Sequence, residues 1–103
     1  MLTEEQYLLT CLAEECVEVA QRADKAIRFG LGEVQPGQPL TNLFRLEEEL
    51  NDLLGVVTML GLRTNYEAMI AKQHRVREYM GYSRKLGIVE PKRSQLELFP
   101  GVD

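Results

Sequence analysis

The sequence holds one histidine, two cysteines, no long run of a single charge and no long apolar stretch. Each scarcity closes a class of function. Nothing approaches the roughly 20 apolar residues of a helical membrane span. Met1 to Gln6 has neither the basic nor the apolar segment of a secretory leader, so a cytoplasmic location is expected. The formal net charge of −4 and the lack of a basic run argue against duplex nucleic acid as the main ligand, because phosphate neutralisation dominates that binding. Cys11 and Cys16 would stand about 140° apart on a helix, which does not match zinc spacing, and both read as buried thiols. His74 has no Ser or Cys nucleophile in a recognisable motif beside it, which favours a surface or helix-end role.

With 103 residues, 45% of them hydrophobic and 27% charged, the chain suits one globular domain with a modest core. Thr3 with Gln6 forms a capping box for a helix over residues 4 to 28, with Leu8, Leu9, Leu12, Cys16, Val19, Ala20, Ala23 and Ile27 at helical spacing. Gly30, Gly32, Pro36, Gly37 and Pro39 then impose a loop. Asn42 is placed to cap a second helix with a stripe of Leu43, Leu46, Leu50, Leu53, Leu54, Val57 and Leu60. Thr64 with Glu67 is a second capping box, opening a third helix that runs to about Met80. The expected fold is all-α: a bundle of about three helices over residues 1–90, completed by oligomerisation, with a C-terminal tail over 91–103.

Two acidic clusters stand out on consecutive helices, Glu14-Glu15-Cys16-Val17-Glu18 and Glu47-Glu48-Glu49-Leu50-Asn51-Asp52. Residues i and i+3 share a helical face, so Glu15 with Glu18, and Glu49 with Asp52, each project two carboxylates in one direction. Helical spacing sets Glu15 and Glu49 just beside their apolar stripes, with Glu18, Arg22 and Lys25 continuing one flank of the first helix. If the stripes pack, four acids converge at the edge of the core. Repulsion and partial burial then raise their pKa values unless a cation neutralises them, and Mg²⁺ suits such an all-oxygen set. Solvation of a helix face is the plain alternative for any one of these acids, but paired spacing on two helices makes it a poor account of the set.

At these residues the sequence resembles the MazG-like branch of the all-α nucleoside triphosphate pyrophosphohydrolases, whose signature is Glu-Glu-x-x-Glu on one helix and Glu-x-x-Asp on the next. Glu14, Glu15 and Glu18 match the first part, and Glu49 and Asp52 the second. The similarity runs through Lys25, Arg28, Phe29 and Gly30 into the third helix, over about residues 4 to 85. It implies Glu15, Glu18, Glu49 and Asp52 as the catalytic Mg²⁺ ligands, with Mn²⁺ able to substitute, and Glu14 and Glu48 as groups that orient water. It also implies a homodimer or homotetramer, and hydrolysis of a nucleoside or deoxynucleoside triphosphate to the monophosphate and pyrophosphate. Phage members acting on dGTP or dATP make a purine dNTP the expected substrate. The Gly/Pro-rich segment between Glu18 and Glu49 is longer than is usual in the family and bears on the nucleoside pocket.

Lys25, Arg28, Lys72 and Arg75 are the candidate substrate-binding cations, since positive groups must balance the phosphate charge that a metal leaves uncovered. Tyr66, Tyr79, Tyr82, Phe29 and Phe44 read first as core or interface packing and second as platforms for a base. A non-catalytic helical adaptor or regulator of MazG-like shape is the main rival, and four intact acids oppose it. A nucleic-acid module using Arg63, Lys72, Arg75, Arg77, Arg84 and Lys85 is a second, opposed by the acid clusters. Near the end, Gln95, Leu96, Leu98 and Phe99 match the Gln-Leu-x-Leu-Phe peptide through which bacterial replication proteins dock on the sliding clamp. Packing of the same side chains on the helical body is the competing reading.

Overall fold

The computed structural model describes residues 1–92. Among them are three α-helices and no strand: α1 spans Glu4–Phe29, α2 Asn42–Met59 and α3 Tyr66–Lys85. The all-α class is therefore as expected. Gln95, Leu96, Leu98 and Phe99 lie outside the described residues. The chain separates into two compact units, Met1–Arg63 with α1 and α2, and the segment from Thr64 onward with α3.

In the first unit, Thr3 starts α1 through the expected reciprocal box. Its Oγ1 accepts from the Gln6 N–H at 3.1 Å, and its own N–H donates to Gln6 Oε1 at 3.0 Å. Glu4 and Glu5 in the first turn and Arg28 in the last suit the helix dipole. Gly30 ends the helix at φ 91°, a backbone conformation that disfavours a side chain, while its N–H still reaches the Ala26 carbonyl at 2.9 Å.

The chain then turns back. Gly30 meets Asn42, Glu18 meets Glu49, and Glu4, Glu5 and Leu8 share a surface pocket with Met59 and Leu60, so α1 and α2 form an antiparallel pair. The half-buried positions mark the seam: Leu8, Cys11, Leu12, Glu15, Val19, Arg22, Ala23, Lys25 and Ala26 on α1, and Arg45, Leu46, Glu49, Leu53, Val56 and Val57 on α2 with Leu60 at its C-cap. Cys16 is exposed rather than buried, because it falls off that seam. Glu15 and Glu49 lie within the seam, not beside it.

The loop is tied to the start of α2. Asn42 was expected to cap this helix, but the cap is Thr41, whose Oγ1 accepts from the Phe44 N–H at 3.2 Å. Asn42 is instead taken up by the loop and is the only buried residue among those described, 2% exposed. Its Nδ2 donates to the Gly30 carbonyl at 2.8 Å and to Glu33 Oε1 at 3.2 Å, and its backbone N–H to the Glu33 carbonyl at 2.9 Å. Arg45 Nη1 donates to Gln35 Oε1 at 2.9 Å, and the Leu43 N–H to the Leu31 carbonyl at 2.9 Å. These five bonds tie Gly30, Leu31, Glu33 and Gln35 to Asn42, Leu43 and Arg45 at the start of α2.

In the second unit, Asn65 rather than Thr64 caps α3, its Oδ1 accepting from the Ala68 N–H at 2.9 Å. The helix passes Met80 and Gly81 and stops only at Lys85, followed by Gly87 at φ 76°. One glycine inside a helix costs about 1 kcal/mol, too little to end it against its neighbours' bonds.

Candidate metal centre

Glu15 and Glu18 stand one turn apart on α1, and Glu49 faces them from α2. Each offers a carboxylate oxygen, and the three oxygens lie within 4.8 Å of one another. Oxygens on opposite sides of a Mg²⁺ ion are at most roughly 4.2 Å apart, given bonds of about 2.1 Å, so the trio stands near the span of such an ion. Asp52 is not part of this trio, but it is close enough for its charge to act on both Glu15 and Glu49.

The electrostatics are those of anions crowded together. Burial, followed by the negative charges of Glu18 and Asp52, raises the Glu15 carboxyl above the ordinary value of 4.5. Glu49 is raised from the same value first by a side-chain hydrogen bond with Glu18, then by burial and by the charges of Glu18, Asp52 and Glu15. Oε2 of Glu15 and Oε2 of Glu49 are both shielded from solvent, with no hydrogen-bond partner among the described residues. Shielded acceptors without donors are uncommon, and oxygen ligands for a hard cation are one physical reason for them.

The candidate phosphate contacts are placed less uniformly. Lys25 Nζ and the Arg28 guanidinium each lie 5.8 Å from the Phe29 ring centroid, and Arg28 Nη2 also binds Asp24 Oδ2 at 2.9 Å. Lys72 and Arg75 are exposed on α3, spaced i and i+3 on one face. Glu14 and Glu48 are exposed neighbours of the trio in sequence. One residue in the seam received no role from the sequence: Arg22, whose Nη1 is shielded and unpartnered among the described residues. Its signal was legible, four positions after Glu18 on the same flank.

Comparisons of the chain with protein families, with curated proteins and with solved structures found no match.

Proposed function

We propose that the chain is a metal-dependent nucleoside triphosphate pyrophosphohydrolase, releasing a monophosphate and pyrophosphate. The observation that carries this reading is the pair of shielded, donorless oxygens on Glu15 and Glu49 in the seam of two helices, with the carboxylate of the exposed Glu18 beside them. A solvated acidic face would turn these oxygens to water; here they are shielded from it, and a bound cation would answer them. Glu15, Glu18, Glu49 and Asp52 would hold Mg²⁺, or Mn²⁺ in its place. When bound, the ion supplies an activated water and neutralises phosphate oxygens.

The chain's own side chains do the rest. Glu14 and Glu48 flank the ligands and orient water by accepting its protons in hydrogen bonds. Lys25 and Arg28 contribute positive charge toward the triphosphate. No Ser or Cys nucleophile is required, because attack by water forms the new P–O bond directly and pyrophosphate departs with the electron pair of the broken one.

The partners follow from this reading: a nucleoside triphosphate, with dGTP or another purine dNTP as the first substrate to try, and further copies of the chain as a homodimer or homotetramer. Gln95, Leu96, Leu98 and Phe99 would in addition dock a sliding clamp, and loss of clamp binding in a Leu98→Ala, Phe99→Ala double variant is the check. The activity itself is tested by incubating each NTP and dNTP with the protein and Mg²⁺ and identifying the products. Pyrophosphate and monophosphate, abolished by chelator, support the reading. Release of orthophosphate alone, or full turnover in excess chelator, contradicts it.

A further inference from the structure

Arg22 stands four residues beyond Glu18 on α1, a rise of about 6 Å along the helix axis. Side chains on a helix lean toward its N-terminus, which from Arg22 is the direction of Glu18. Arg22 lies in the half-buried seam, and its Nη1 is shielded from solvent with no hydrogen-bond acceptor among the described residues. It also makes no ion pair there; the pair found among the described residues joins Arg28 and Asp24. A guanidinium cannot escape by losing its proton, so a shielded N–H without an acceptor is costly unless something outside these residues supplies one.

The seam thus holds two opposite deficits. The acids have shielded oxygens that need a cation, and Arg22 has a shielded donor that needs an anion. A polyphosphate carrying a divalent ion answers both at once. Of the cations on the same stretch of α1, Arg28 is already engaged with Asp24 and Phe29, and Lys25 lies over the Phe29 ring. Arginine also suits a tetrahedral oxyanion better than lysine, because its planar fork donates two parallel bonds.

We propose that Arg22 is a phosphate contact of this site, its Nη1 donating to a terminal oxygen of the polyphosphate. This rests on the pyrophosphohydrolase reading and assigns a contact within it. The contact holds the departing pyrophosphate as well as the intact triphosphate.

The test uses the full chain and its Arg22→Gln and Arg22→Lys variants, with Mn²⁺ and pyrophosphate as probes. Calorimetry should show pyrophosphate binding to the Mn²⁺-loaded protein weakened about tenfold or more in Arg22→Gln, and less in Arg22→Lys. Mn²⁺ binding without pyrophosphate should stay within twofold of wild type, and KM for the triphosphate should rise more than kcat falls. The ligand-free Tm of Arg22→Gln should be equal to wild type or higher, since an unanswered donor is removed. Unchanged pyrophosphate affinity overturns the proposal. So does a lower ligand-free Tm, which would assign Nη1 to a carboxylate elsewhere in the chain or in a second copy. Failure of the wild type to bind Mn²⁺ takes down the underlying reading, and is thereby distinguished from failure of the Arg22 contact alone.

Discussion

The Asn42 side chain donates to the carbonyl of Gly30 at 2.8 Å, joining the last cap of α1 to the first turn of α2 across twelve positions of sequence. The bond fixes where α2 begins relative to α1, and so fixes which residues of the two helices face each other further along. Glu18 and Glu49 meet within that register.

Asn42→Ala removes donors from two buried contacts and leaves the Gly30 carbonyl unanswered. A loss of about 1–3 kcal/mol is expected. Thermal melts at matched protein concentration check it, with Mn²⁺ affinity measured alongside. The affinity should fall as well, because the register of the acids depends on the same latch. A change in stability below about 0.5 kcal/mol would mean that the loop does not hold the helices.

The acid trio makes the ligand-free protein sensitive to pH in a direction fixed by its raised carboxyls. Glu15 and Glu49 titrate above the ordinary 4.5 in the folded chain, so the folded state binds more protons than the unfolded one between that value and their raised values. Stability is therefore greatest below that window and falls as pH rises through it. In chelator, Tm should drop over this range, and Glu49→Gln should flatten the drop. Added Mg²⁺ should restore Tm increasingly as pH rises, since ligand binding requires the ionised form. A ligand-free Tm that climbs across the same range would contradict the crowding of these carboxyls.

Much of this arrangement was legible in sequence. Helix count and the α1 capping box follow from local rules, and the acid pairs from the i, i+3 spacing. The failures have physical causes. Thr41 and Asn42 are both good caps, and only a contact with Gly30 twelve residues earlier decides between them. Thr64 and Asn65 present the same local ambiguity, settled by the bond to the Ala68 N–H. Cys16 matched the spacing of the α1 stripe closely enough to be read into it, but the seam runs through Cys11 and Glu15. That shift also moves Glu15 and Glu49 inward and brings Arg22 into the seam. Periodicity resolves a face to about one residue, too coarse to separate a border from a seam.

No apolar side chain among the described residues is buried, and Leu9, Val17, Leu50 and Leu54 are 45–56% exposed on the paired helices. Burial of such side chains contributes about 1.5–3 kcal/mol each, so covering them would add stability. A second copy is the expected cover. Light scattering at micromolar concentration should give a dimer or tetramer, and Leu54→Glu should shift it toward monomer with a lower Tm. A wild-type monomer with a concentration-independent Tm would contradict this.

The central claim is that Glu15, Glu18 and Glu49 converge to hold a divalent cation, and Mn²⁺ binding followed by electron paramagnetic resonance tests it without reference to turnover. Titrating Mn²⁺ into the wild-type chain should show saturable binding that Mg²⁺ competes away, and Glu15→Gln and Glu49→Gln should each weaken it by tenfold or more. Equal Mn²⁺ binding in the wild type and both variants, or none in any of them, would contradict the account.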